Sequence, residues 1–144
     1  MKTNLHLVFP GTCAEAFAFY EKALGTKRTM SMKYGEAPGG MPIPADSAEL
    51  VMHTSMQVGG VQLMGCDAPR CEVPNMAQEK LGGFQVSLES EDEAEVRRIY
   101  DALSEGGSRS MPLAPTFWSP LFGMLKDRFG VGWMVSVPGP QQAS

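Results

Sequence analysis

No stretch of this sequence is apolar over the about 18 residues that a bilayer-spanning helix needs, which excludes a transmembrane helix. The opening MKTNLHLVF has one lysine and too short an apolar run for a secretory signal, so the chain is expected in the cytoplasm. Cysteine is scarce: Cys13, Cys66 and Cys71 are an odd number without an export signal, which argues for reduced thiols rather than a disulfide framework. Cys66 and Cys71 stand close in sequence, but no second Cys/His pair at zinc spacing accompanies them. Basic residues are not in excess either; the net charge is -4, and this removes the electrostatic case for a nucleic-acid partner. There is no Gly-rich phosphate loop, no G-x-S-x-G elbow and no dinucleotide fingerprint. What remains is an ordinary globular composition, 43% hydrophobic over 144 residues, enough for one domain with its own core.

Repetition is what the sequence does have. GVQLM at 60–64 returns as GVGWM at 130–134. Ahead of the first copy, the apolar stretch 5–9 leads to Thr12 and Glu15, spaced as a capping box, and then to a helix marked by Ala16, Phe19, Tyr20 and Ala23 and closed at Gly25. Ahead of the second, Phe84, Val86 and Leu88 alternate over 84–90; Ser90 and Glu93 repeat the capping spacing, Val96, Ile99, Tyr100 and Leu103 mark a helical face, and Gly106-Gly107 ends it. Three strand candidates follow each helix, at 27–34, 48–58 and 61–65, then at 108–114, 121–127 and 132–137, with Gly59-Gly60 as a tight hairpin. The unit is β-α-β-β-β, written twice, and the repeated pentapeptide opens its last strand. The expected fold class is α+β: one domain over 1–144, with a first module about 1–66, a linker about 67–82, a second module about 83–138 and a flexible tail 139–144. The Gly/Pro-rich stretches 35–47 and 66–83 are longer than ordinary connections, as a lid or a dimer contact would be.

The segments FPGTCAEAFAFYEKALG, YGEAP, VMHTSMQVGGVQLMGCDAP, DEAEVRRIYDALSEGG and TFWSPLFGMLKDRFGVGWMV resemble the PhnB-like branch of the vicinal oxygen chelate superfamily, which includes glyoxalases, extradiol dioxygenases and fosfomycin- and bleomycin-resistance proteins. The resemblance implies paired β-α-β-β-β modules with curved mixed sheets around a pocket, homodimers as the common form and, in metal-using relatives, His, Gln and Glu ligands on the first and last strands of the modules. Such a cation polarises substrate oxygens as a Lewis acid. Aligned with that pattern, the four ligand positions fall on Leu5, Met64, Gln85 and Met134, with His6 turned to the opposite face unless the register shifts by one. Only Gln85 suits a hard cation, because a thioether is a soft ligand, so no metal and no cofactor is expected.

The resulting expectation is a metal-free binder of a small, partly apolar molecule, with Leu5, Met64, Gln85 and Met134 lining the pocket and Trp118 and Phe122 at its edge. Gln85 is the polar anchor, since an amide offers both donor and acceptor. A divalent-metal lyase or dioxygenase using His6 or His53, with Glu49 or a ligand from a second chain, is the alternative; a non-catalytic interaction module whose methionines fill its own concave face is another. His53 shares a strand face with Ser55 and Gln57, where a hydrogen-bonded surface role competes with acid–base work. Asp127 and Arg128 read as a hairpin with a paired charge. Some relatives carry a ubiquinone-pathway methyltransferase label, but nothing here resembles a Gly-rich S-adenosylmethionine site.

Overall fold

The computed structural model describes residues 1–37, 46–68 and 82–140. The chain divides into two compact units, Met1–Glu79 and Lys80–Ser144. The first contains β1 (Leu5–Phe9), α1 (Cys13–Leu24), β2 (Arg28–Lys33), β3 (Val51–Val58) and β4 (Val61–Asp67). The second contains β5 (Val86–Glu89), α2 (Glu93–Ser104), β6 (Ser108–Ala114), β7 (Leu121–Lys126) and β8 (Gly132–Val137). Each sheet has four strands in the same permuted order, β1-β4-β3-β2 and β5-β8-β7-β6, with the first pair parallel and the rest antiparallel. The doubled β-α-β-β-β pattern is therefore the architecture. The stretches 38–45 and 69–81, where a lid or dimer contact is expected, and the end of the tail, 141–144, lie outside the described residues. Among the described residues no helix is long and apolar enough to cross a membrane.

In the first unit α1 buries Ala16, Phe17, Tyr20 and Ala23 against Leu7, Phe9, Met56 and Leu63. Phe17, rather than the expected Phe19, is the buried phenylalanine, and it meets Phe9 edge to face. Gly25 ends the helix at φ 68°, its N–H donating back to Glu21. In the second unit Val96, Ile99, Tyr100 and Leu103 pack onto Leu121, Leu125, Trp133 and Val135.

One rung of each ladder shows how closely helix and sheet approach. Thr54 lies opposite Gly65 in the first sheet and Gly123 opposite Val135 in the second, so the glycine has changed strands while the rung is the same. A β-carbon on Gly65 would come within 2.6 Å of the Phe17 ring, and one on Gly123 within 2.8 Å of the Tyr100 ring. The absent side chain makes room for the aromatic ring of the helix.

The helix starts depart from the expected capping boxes. Thr12 occupies the N-cap of α1 without a side-chain cap bond; Asp67, from the end of β4, accepts from the N–H groups of Gly11 at 3.1 Å and Cys13 at 2.9 Å, and from Val51 at 3.0 Å. A carboxylate at the positive end of a helix is a stronger acceptor than a hydroxyl, and this one also ties the helix start to β3. At α2 the cap is Asp92, accepting from Ala94 and Glu95, while Ser90 donates to Glu95 at 2.6 Å and Glu93 pairs with Arg97.

Candidate functional site

With the helix on one face, the other face of each sheet is free of its own unit's core, and the ladder register fixes what stands there. In the first sheet Met30 pairs with Ser55, Ser55 with Met64, and Met64 with His6, a single row across all four strands. In the second, the same row reads Met111, Met124, Met134 and Ser87. Met64 and Met134 thus hold matched rungs on the helix-free faces, and both are half-buried, unlike the fully buried core residue Met56.

The partners of those methionines differ from the expected set. Leu5 pairs with Leu63 and shares the helix-side face with Leu7 and Phe9, so it does not join Met64; His6 does. The one-residue shift turns the whole of β1 over, because side chains alternate with period two. In the second unit Ser87 stands directly beside Met134, and Gln85 lies ahead of β5, exposed, with its Cγ 3.1 Å from where a β-carbon on Gly132 would be. Gln85 is therefore on the face of Met134 but two rungs away, beside Gly132. Trp118 and Phe122 are brought together, ring centroids 5.3 Å apart and edge to face, and Phe117 joins at 4.7 Å from Trp118. Phe122 is buried, Trp118 is 38% exposed and Phe117 is 96% exposed, so this aromatic ladder climbs from the sheet into solvent. Ser119 holds its base, with its hydroxyl 2.8 Å from the Leu121 carbonyl and 2.6 Å from that of Val137.

The sequence reading did not bring the two histidines together. His6 and His53 lie 6.1 Å apart between ring centroids, with planes 18° from parallel. Partial loss of hydration, and then the neighbouring His53, lower the pKa of His6 below its ordinary value. Finding this pair requires the register of two strands that meet only through β4, which no local pattern in the sequence encodes.

Other candidates resolve into structure. Asp127 is buried and accepts from the N–H groups of Phe129 and Val131 and from the Trp133 indole N–H at 2.8 Å, so it organises the turn between β7 and β8. Glu49 is exposed and bonded to Lys33 at 2.7 Å. Burial, followed by the nearby Asp67, pushes the thiols of Cys13 and Cys66 up, which leaves them protonated and unreactive near neutrality; Cys71 lies outside the described residues.

The donor chemistry can be tested against the divalent cation of metal-using relatives. The matched positions offer one imidazole, one hydroxyl and two thioethers: His6, Ser87, Met64 and Met134. Among the described residues no three His, Cys, Asp or Glu side chains are grouped to hold an ion. Hard or borderline divalent cations need nitrogen, carboxylate or thiolate donors, so neither His6 with Met64 in the first unit nor Ser87 with Met134 in the second fits one.

A family model described as 3-demethylubiquinone-9 3-methyltransferase matches residues 1–136. Protein YjdN of Escherichia coli K12 is 31% identical over 148 residues, covering 95% of both chains. The crystal structure of protein PA1353 from Pseudomonas aeruginosa is similar with a TM-score of 0.82 at 39% identity, covering 96% of this chain and 98% of that one. The fosfomycin resistance protein FosX from Listeria monocytogenes shares the fold, with a TM-score of 0.65 at 7% identity over 100% of this chain and 98% of its own.

Proposed function

This chain belongs to the 3-demethylubiquinone-9 3-methyltransferase family, in the PhnB-like branch of the vicinal oxygen chelate superfamily, and from that premise we propose that it binds a small, partly apolar organic molecule without a divalent cation. The observation that carries this reading is the pair of half-buried thioethers, Met64 and Met134, on matched rungs of the helix-free faces. Thioether side chains are polarisable and adaptable, which suits contact with an irregular apolar ligand. The aromatic ladder of Phe117, Trp118 and Phe122 adds a second apolar surface in the second unit. Methyl transfer is not taken over from the family's description, because the sequence has no Gly-rich nucleoside-binding turn. The homodimer that the family implies and a cytoplasmic location belong to the same proposal.

The test is elemental analysis of protein purified without chelator, followed by titration of Trp118 fluorescence with apolar aromatic probes. The expected result is substoichiometric zinc, nickel and manganese together with a saturable fluorescence change that Met134→Asp weakens. Stoichiometric divalent ion held by the protein would overturn the proposal. The lyase or dioxygenase reading has one supporting observation, His6 directly beside Met64, and it expects that ion.

A further inference from the structure

The sequence contains two histidines, and the fold brings both to one face of the first sheet. His6 comes from β1 and His53 from β3, and their rings lean over the intervening β4. At 6.1 Å between centroids they do not hydrogen-bond one another, and among the described residues nothing takes a hydrogen bond from either imidazole. Around them β4 contributes Gln62, Met64 and Cys66, β3 contributes Ser55 and Gln57, and β2 contributes Met30 and Met32. Of these only the Cys66 thiol titrates, and its raised pKa keeps it uncharged. Lys33 and Glu49, at the outer end of β2 and the approach to β3, are committed to each other. The carboxylate of Asp67 is turned to the opposite face, held by Gly11, Cys13 and Val51.

Two N–H donors with unmet hydrogen-bonding capacity, thioethers beside them and no facing carboxylate among the described residues of this unit make a place for an acceptor-rich anionic group on an apolar body. We infer that His6 and His53 together receive the oxyanion of the ligand, a carboxylate or a phosphate ester, on the helix-free face of the first sheet. The inference rests on the small-molecule reading above and narrows it to organic anions. It also links binding to protons. His6 is partly desolvated and faces His53, so it resists protonation; an oxyanion across both rings offsets both effects, and the complex takes up a proton that the free protein releases. Because a carboxylate stays ionised above about pH 4 while free histidine titrates near about 6.5, binding is tightest between those values.

The experiment is calorimetric titration of the full chain in buffer containing EDTA, at about pH 5.5 and about pH 8, either side of the ordinary histidine value. The probes are 2-naphthoate and its neutral counterpart 2-naphthalenemethanol. Naphthoate is expected to bind about tenfold more tightly at the lower pH, the difference between a charged and a neutral hydrogen bond, while the alcohol binds equally at both. The paired replacement His6→Gln and His53→Gln retains polar strand residues, and in it naphthoate loses the gain. Circular dichroism of that variant confirms the fold. Competition by inorganic phosphate separates the two oxyanion classes: displacement of naphthoate assigns phosphate esters as well, and its failure restricts the site to carboxylates. A naphthoate affinity independent of pH, or a gain that survives the double replacement, overturns the inference. Alcohol binding without any naphthoate gain does so while leaving the apolar reading intact. A histidine-dependent naphthoate gain with no alcohol binding keeps the oxyanion site and removes the apolar reading, and no binding of either probe overturns both.

Discussion

A carboxylate at 1% exposure is stable only where donors replace its water, and Asp67 has three backbone N–H groups around it. Asp127, 3% exposed, repeats the arrangement with two backbone N–H groups and the Trp133 indole. Asp67 brings an acceptor from a distant strand to the start of α1, whereas Asp127 organises the turn from β7 to β8 through partners close by in sequence. Asp67→Asn or Asp127→Asn sets an amide donor against N–H donors and is expected to cost about 2–4 kcal/mol, read as a lowered urea midpoint at unchanged slope. His6 gives a pH signature at the same scale. Its folded pKa lies below the unfolded value near 6.5, so the unfolded chain binds more protons in that window. The contribution of His6 to stability is therefore complete above about pH 6.5 and is lost as pH falls through the folded pKa. His6→Gln is expected to flatten the dependence of unfolding on pH between about 5 and 7; an unchanged slope there would refute the lowered pKa of His6.

At the scale of elements, the two units solve one packing problem with glycine on different strands. Gly65→Ala drives a methyl into the Phe17 ring and Gly123→Ala drives one into the Tyr100 ring, each expected to destabilise by about 1–3 kcal/mol through overpacking. Combining Gly65→Ala with Phe17→Leu is expected to cost less than the two changes added together, since the smaller side chain vacates the contact; simple additivity in a double-mutant cycle would contradict this account. The elements themselves are largely visible in the sequence. Alternation at Val86 and Leu88 and helical spacing at Val96, Ile99, Tyr100 and Leu103 are local signals that tertiary contacts reinforce. The helix caps are less visible: the spacing of Thr12 and Glu15 suggests a local cap, whereas the acceptor comes from Asp67, 54 residues beyond Cys13.

For the whole molecule, the proposed homodimer predicts a sedimenting mass near twice the 15.6 kDa of one chain, and a single-chain mass at micromolar concentration would remove it. The repeated β-α-β-β-β pattern, the strand and helix periods and the methionines at Met64 and Met134 could all be read from the sequence, because each is a local pattern of period two or near 3.6. Which residue stands beside each methionine could not. His6 and Leu5 are adjacent in the chain, yet strand alternation puts them on opposite faces, and only the pairing of β1 with β4 decides which one meets Met64. The approach of His6 to His53 depends on the same decision, since it links strands separated by 47 positions through a third. Local periodicity sets which elements form; the hydrogen-bond register between distant strands sets which side chains share a surface.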